Sequence, residues 1–240
     1  MKKIAVFSDN PRMASIFKSI INRKGIEVAT YFYCSIFSRE SDFIDMSVEK
    51  LDIKKNYTFL IQEFDLIISM HCKQIFPKEL VENVRCINIH PGYNPTNRGW
   101  YSQVFSIIHS IETGATIHEM DAEVDHGAII ARKKVPTHSW DTSLSLYNKI
   151  VEAELELIEN NIVAVIENSY SITIPENEGN TYWKRDFNTL CELDLDKKAT
   201  YKEVINHLRA VTHGEFNNAY FIDKETNKKV FVKIILEQEK

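Results

Sequence analysis

KIAVFSDNPRMASIFKSIINRKG, residues 3–25, is the stretch that decides the fold. It opens with a short β-forming run, and Asn10 and Pro11 then supply an N-cap and a first-turn proline for a helix. Apolar residues recur at helical spacing until Gly25, a typical helix stop. Because residues 26–33 predict a second strand, the chain begins with a β-α-β unit, which is typical of a parallel sheet in an α/β protein.

The rest of the chain extends this pattern and then departs from it. Further strands are predicted over residues 64–70, 85–89, 115–120 and 128–135, and a long helix from 141 to 168. After residue 170 come polar loops, a short amphipathic helix and a final hairpin. We therefore predict two parts: residues 1–170 form an α/β domain with a mostly parallel mixed sheet, and residues 171–240 form a small α+β extension packed on it.

Composition excludes several classes of protein. The 240 residues carry a net charge of −5 without a long basic stripe, which argues against nucleic-acid binding. No apolar run reaches about 18 residues, so we expect no membrane span. The four cysteines are scattered in mostly apolar surroundings, as expected of buried thiols in the cytoplasm.

Glycine and cysteine spacing excludes the common cofactor sites. The first strand is not followed by Gly-x-Gly-x-x-Gly, and the chain has no Gly-Lys-Ser/Thr loop, so a dinucleotide or P-loop site lacks its phosphate cradle. His71, Cys72, Cys86 and His90 lack the close pairing of structural zinc ligands. We expect no metal.

The stretch CINIHPGYNP, residues 86–95, places two polar side chains at the end of a buried strand. Residues two apart on a strand face the same way, so Asn88 and His90 project together. In an open α/β sheet the carboxyl ends of the strands are where ligands bind. The alternative is that both residues are turn residues that bond to their own backbone.

Asp125 lies in a turn between two predicted strands, with Gly127 two residues later. Alone, Asp-x-Gly is ordinary turn chemistry. Together with the Asn-x-His-Pro strand end, it resembles the catalytic domain of the formyltransferases that use 10-formyltetrahydrofolate. The resemblance covers roughly residues 1–165 and implies a Rossmann-like formyltransferase domain with Asn88, His90 and Asp125 as its catalytic residues.

The segment PTNRGWYSQVF, residues 95–105, narrows the resemblance. It is similar to a segment of sugar N-formyltransferases that act on nucleotide-linked 4-amino-4,6-dideoxy sugars, as is the short C-terminal region, although Ser102 stands where the family often has proline. The resemblance implies a cytoplasmic enzyme of surface-polysaccharide (O-antigen) biosynthesis, and it allows a homodimer. The expected nucleotide is dTDP, with UDP as the alternative.

Formyl transfer from a folate nitrogen to an amine requires an oxyanion donor and proton transfer. Asn88 offers an amide donor, and His90 titrates near neutrality. Asp125 is expected to orient His90 and to favour its charged form. Whether His90 or Asp125 takes the proton stays open at this stage.

The resemblance also indicates binding residues. For the folate these are Met70, Lys73, Ile75, Phe76, Asp121 and Glu123; for the sugar nucleotide they are Asn10, Asn94, Arg98, Trp100 and Tyr101. Arg98 is expected to clamp the diphosphate, unless it forms a surface ion pair. Ile75 and Phe76 could equally be core residues, and the two aromatic residues could anchor a helix.

Two other functions stay open. One is a formyltransferase of the same fold with a different amine acceptor, such as an amino acid conjugate or a phosphoribosyl amine. The other is a folate-binding module without catalysis, which has no need of a histidine–aspartate pair beside an amide donor.

Overall fold

The computed structural model describes residues 1–239. Its strands are β1 (Lys3–Ser8), β2 (Ala29–Cys34), β3 (Val48–Lys50), β4 (Leu66–Met70), β5 (Cys86–His90), β6 (Arg98–Gly99), β7 (Thr113–Glu119), β8 (Ile129–Val135), β9 (Thr181–Tyr182), β10 (Tyr220–Ile222) and β11 (Lys229–Phe231). Its α-helices are α1 (Pro11–Arg23), α2 (Ile53–Glu63), α3 (Lys78–Val81), α4 (Ser102–His109), α5 (Ser143–Glu167), α6 (Lys184–Cys191) and α7 (Tyr201–Val211). None of these helices combines enough length with enough apolar character to cross a lipid bilayer.

Seven strands form one sheet in the order β3-β2-β1-β4-β5-β7-β8. The pairs from β3 to β5 are parallel, whereas β7 runs antiparallel to both β5 and β8. The prediction of a mostly parallel mixed sheet is therefore confirmed. Because the chain leaves β1 toward β2 and returns to its other side as β4, the carboxyl ends of β1 and β4 flank a topological switch point, the usual place for a ligand.

Strand alternation gives the sheet two buried faces. Ile4 and Val6 pack with α1 and α5 on one face, while Ala5 and Phe7 pack with α2 and α3 on the other. The predicted cap of α1 is confirmed, because the side chain of Asn10 accepts the N–H of Met13 and a proline occupies the first turn.

The region between β2 and β4 was not predicted in detail. It contains β3, an edge strand of three residues with no buried side chain, so it carries no alternating apolar pattern. It also contains α2, which begins after Asp52, whose side chain accepts the N–H of Lys55, and which is kinked at Asn56.

The residues after 170 pack on the same core. Phe187, Ala210 and Ala219 belong to the buried cluster that fills the α5 face of the sheet. The predicted final hairpin is present as β10 and β11, and β9 pairs in parallel with β6. The division of the chain near residue 170 stays a prediction.

Candidate active site

Asn88 and His90 project from the end of β5 onto one carboxylate. Asn88 Nδ2 donates to Asp125 Oδ1 at 2.7 Å, and His90 Nδ1 lies 3.3 Å from Asp125 Oδ2. The two side chains share a face because they are two residues apart on the strand. The structure therefore brings together the three residues expected to be catalytic.

Asp125 is held in the left-handed backbone region, with φ of 50°, after β7. The backbone N–H of Gly99 donates to its Oδ2 at 3.0 Å, and Asn94 Nδ2 donates to its carbonyl oxygen at 2.8 Å. Gly127 is required nearby, because a Cβ there would overlap the carbonyl oxygen of Glu119. The carboxylate is thus fixed from both its side chain and its backbone.

The His90 ring is oriented by its other nitrogen. Nε2 lies 3.2 Å from the carbonyl oxygen of Asn97, which can only accept, so Nε2 carries a hydrogen. Gly92 leaves room for this ring, since a Cβ at that position would overlap Nε2. Nδ1 is therefore the nitrogen that faces Asp125 and is free to exchange a proton.

His118 is a fourth member of the site, which the sequence analysis did not identify. It lies opposite Asn88 in the β5–β7 register, and its Nε2 approaches Asp125 Oδ1 at 3.4 Å. Its Nδ1 lies 2.6 Å from the carbonyl oxygen of Glu119 and so carries a hydrogen. Sequence alone does not supply the strand register that places His118 here.

Burial and charge set the protonation of the site. Burial acts to raise the pKa of Asp125, but His90, His118 and the N–H of Gly99 outweigh it and hold that pKa below its usual range. Burial lowers the pKa of His90 more than Asp125 raises it. Asp125 favours the charged form of His90, as predicted, but desolvation outweighs this effect and the net pKa of His90 is lowered.

A cavity of about 960 Å³ opens over these residues at the carboxyl edge of the sheet. Asn88, His90, His118 and Asp125 line its floor. Most of its other residues come from the first β-α turn and from residues 71–76, 99–101, 120–124 and 183–185, and Tyr147 of α5 also lines it. The volume falls within the range of small-molecule sites in proteins.

Eight of the predicted binding residues line this cavity. They are Asn10, Lys73, Ile75, Phe76, Trp100, Tyr101, Asp121 and Glu123. Ile75 is 70% exposed and therefore is not a core residue, whereas Phe76 is buried against Phe7. Tyr101 stacks on Phe187, so this aromatic residue also anchors the C-terminal region.

Three predicted binding residues do not line the cavity. Met70 is buried in the core with Ile68, because alternate residues of β4 face opposite sides of the sheet. Asn94 is buried and supports the backbone of Asp125. These positions correct the expectation that the two side chains contact ligands.

Arg98 also departs from its expected position. Arg98 does not line the cavity; it is buried, with Nη2 3.8 Å from Glu178. This position does not support the expected diphosphate clamp, and the contact is not the surface ion pair of the alternative either, because the guanidinium is buried and its Nε and Nη1 lack hydrogen-bond partners.

One cluster of potential metal ligands occurs in residues 1–239. Glu123, His126 and Glu178 have ligand atoms within 4.8 Å of one another, and the two glutamates are exposed. His126 Nδ1 is already 2.6 Å from Asp121 Oδ2. Exposed acidic groups often cluster without a metal, so this cluster alone assigns no site.

Two family models match this chain. Residues 2–162 match the family model described as formyl transferase, and residues 186–238 match the N-formyltransferase dimerization C-terminal domain. A dTDP-4-amino-4,6-dideoxyglucose formyltransferase of Mycobacterium tuberculosis is 45% identical over 193 residues, which cover 80% of this chain and 82% of that protein.

Two solved structures are similar over the whole chain. A sugar N-formyltransferase from Shewanella shares 37% identity, with 100% of each chain covered and a TM-score of 0.96. A 4-N formyltransferase from Francisella tularensis shares 44% identity, with 99% of each chain covered and a TM-score of 0.93.

Proposed function

This chain belongs to the formyl transferase family, and from that premise we propose that it transfers a formyl group from 10-formyltetrahydrofolate to the amino group of a dTDP-linked 4-amino-4,6-dideoxy sugar. One observation carries the proposal: Asn88, His90 and His118 converge on the buried carboxylate of Asp125 at the floor of a large cavity. The mycobacterial relative, which acts on a dTDP-linked amino sugar, supports the choice of acceptor.

Asn88 is proposed to stabilise the oxyanion that forms when the amine attacks the formyl carbon. An amide carries two N–H groups, and Asn88 donates one of them to Asp125. The second remains available for the developing negative charge. A single well-placed donor of this kind is typically worth about 3 kcal/mol in the transition state.

His90 is proposed as the group that takes the proton of the attacking amine. Its Nε2–H is engaged by Asn97, and its lowered pKa leaves Nδ1 unprotonated near neutral pH. The low pKa of Asp125 makes the carboxylate a poor base but a good partner for the resulting imidazolium. The proton then passes to the folate nitrogen as its bond to the formyl carbon breaks, giving a formamido sugar and tetrahydrofolate.

The cavity residues divide between the two substrates in this proposal. The segment 73–76 and the loop residues Asp121 and Glu123 would hold the folate, since they offer backbone groups beside apolar walls. Asn10, Trp100 and Tyr101 would hold the sugar nucleotide. No metal is assigned a role.

The direct test is formyl transfer by the purified protein. It is incubated with 10-formyltetrahydrofolate and a panel of dTDP- and UDP-linked 4-amino sugars, and the products are analysed by mass spectrometry. We expect a gain of one CO unit on a dTDP-linked sugar. If the panel stays unformylated while another amine is formylated, the acceptor is wrong; if no amine is formylated although folate binds, the catalytic proposal fails.

We also propose that the enzyme is a homodimer held by its C-terminal region. Besides the match of residues 186–238 to a dimerization domain, Phe216, Phe231 and Ile235 are exposed there. Sedimentation should give twice the monomer mass, and Phe231→Asp should shift it toward the monomer. Ile44→Asp, which alters an exposed apolar residue outside the C-terminal region, serves as the control and should leave the mass at that of the dimer.

Both substrates are water-soluble metabolites, so we propose that the enzyme works in the cytoplasm. The formamido sugar nucleotide would then be consumed by a glycosyl transfer in surface-polysaccharide, or O-antigen, biosynthesis.

A further inference from the structure

A buried ion pair lies beside the proposed catalytic residues. His71, the residue after β4, has its Nε2 2.8 Å from Glu154 Oε2 on α5. The Glu154 side chain is inaccessible to solvent, and its Oε1 has no hydrogen-bond partner. His71 itself lines the cavity and has a left-handed backbone, with φ of 54°. The ion pair is thus attached to the cavity wall.

The second nitrogen of His71 continues the chain of contacts. Its Nδ1 is 3.3 Å from the hydroxyl of Tyr147, which precedes Glu154 by seven residues, two turns along α5. Asn10 Nδ2 donates to the same hydroxyl at 3.4 Å. Asn10, His71 and Tyr147 all line the cavity.

We call the contacts Glu154–His71–Tyr147 the relay. The number of hydrogens on the His71 ring determines which group donates in each of its hydrogen bonds. When His71 is charged, Nε2–H donates to Glu154 and Nδ1–H donates to the Tyr147 oxygen. That oxygen then accepts from both His71 and Asn10, so its own hydrogen turns to the cavity. When His71 is neutral with Nε2–H kept on Glu154, Nδ1 becomes an acceptor and the Tyr147 hydrogen turns to it instead. The charge on His71 therefore decides whether the cavity receives a donor.

We propose that Glu154 and His71 position the Tyr147 hydroxyl as a donor to an acceptor oxygen of the sugar-nucleotide substrate. This inference rests on the proposed function. The relay lies at the N-terminus of α1, where backbone dipoles favour anionic oxygens, and Lys184 and Arg185 also line the cavity. A nucleoside diphosphate sugar brings anionic and hydroxyl oxygens together. Tyr147 is then a specificity residue, and His71 and Glu154 are positioning residues.

Stability alone does not account for the buried His71–Glu154 ion pair. Burying two charges usually stabilises a protein less than an apolar pair of similar volume. Here one carboxylate oxygen also lacks a partner, which adds to the cost. The relay explains why His71 and Glu154 are charged residues, because an apolar pair at these positions could not orient the Tyr147 hydroxyl.

The relay makes substrate binding depend on pH. Burial acts to lower the pKa of His71, but the adjacent Glu154 carboxylate outweighs it and raises that pKa above its ordinary value. The donor is present below the raised pKa and is lost as the pH rises through it. The other titratable or charged groups around the relay are Asp9, Arg12, Cys72, Lys73, His90 and His213.

Steady-state kinetics over a range of pH test the proposal with three variants. At pH values below the His71 pKa, Tyr147→Phe should raise the KM for the sugar nucleotide about tenfold and leave the KM for the formyl donor within about threefold of wild type. It should also abolish the pH dependence of the KM for the sugar nucleotide. Glu154→Gln should cause the same loss at neutral pH and move the inflection to lower pH. Glu156→Gln, an exposed change on the same helix, should behave as wild type.

A measurement independent of activity separates this inference from the proposed function. The His71 ring proton is followed by NMR across pH and identified by its absence in His71→Gln. We expect its pKa to be raised in the wild type and to fall in Glu154→Gln. If the wild type formylates no sugar but the His71 pKa is raised and falls in Glu154→Gln, the proposed function fails while the coupling of His71 to Glu154 stands.

Several outcomes overturn the inference. An unraised His71 pKa in the wild type removes the relay. An unchanged sugar-nucleotide KM in Tyr147→Phe removes the donor role, even if Glu154→Gln does not fold. A rise confined to the KM for the formyl donor would assign the hydroxyl to the folate instead.

Discussion

Replacing Asp125 by asparagine tests the centre of the proposed mechanism. The carboxylate accepts N–H groups from Asn88 at 2.7 Å and from Gly99 at 3.0 Å, and it faces two imidazoles. Asparagine is isosteric but keeps one acceptor oxygen, so at least one of these buried donors must meet an NH₂ group. We expect a stability loss of about 1–3 kcal/mol, the usual cost of an unsatisfied buried donor.

The catalytic loss should be much larger than this. Without the negative charge, the imidazolium formed on His90 loses its partner, and the pKa of His90 falls further because Asp125 raises it more than any other group does. Turnover should drop by roughly 10²- to 10⁴-fold, the range for general acid–base catalysis. Initial rates of formyl transfer are compared with the free energy of unfolding from urea denaturation. Asp196→Asn, in an exposed ion pair, is the control. Turnover within about fivefold of wild type in a folded Asp125→Asn protein would refute the assignment.

Four further expectations follow from the same geometry. Asn88→Ala should lower kcat by about 10²- to 10³-fold with little change in either KM, because it removes a donor used in the transition state; an effect on KM alone would contradict this. Gly92→Ala should lower both the melting temperature and kcat, since its Cβ would displace the His90 ring; unchanged kinetics would show that the ring position is unimportant. Arg98→Ala should lower the melting temperature while both KM values stay within about threefold, because the side chain is buried away from the cavity; a large rise in the sugar-nucleotide KM would restore the diphosphate clamp. The pKa of His90 is lowered and the base must be neutral, so the acid limb of kcat/KM for the formyl donor should lie below about pH 6.5, the ordinary histidine value; an acid limb above that value would exclude His90 as the base.

The parts of the site that lie on one strand or one turn could be predicted from sequence. The shared face of Asn88 and His90 follows from strand alternation, and the Asp-x-Gly turn identified Asp125. The same rule, applied to the predicted strand 64–70, would have placed Met70 in the core. The assignment of Met70 came from resemblance and did not consider which way each strand residue faces, whereas that of Arg98 rested on the match of a guanidinium to phosphate oxygens, which does not show where the side chain lies.

The parts that depend on tertiary structure could not be predicted. His118 reaches the site only through the antiparallel register of β5 and β7. Glu154 and Tyr147 are 76 or more residues away from His71, and nothing local in α5 indicates that this helix faces the end of β4. Likewise, the net direction of the His90 pKa depends on the degree of burial, which the sequence does not quantify.

The C-terminal region contributes to the site through the backbone as well as through its apolar contacts. The short pairing of β9 with β6 fixes Gly99, since Arg98 N donates to Asn180 O and Trp100 N donates to Tyr182 O, both at 2.8 Å. Gly99 in turn donates to Asp125. The strand after residue 180 therefore braces the segment that holds the catalytic carboxylate. A change that loosens β9 would therefore disturb Asp125 without altering any catalytic residue. Because β9 lies just before residues 186–238, which carry the proposed dimer contacts, assembly and catalytic geometry depend on neighbouring stretches of chain.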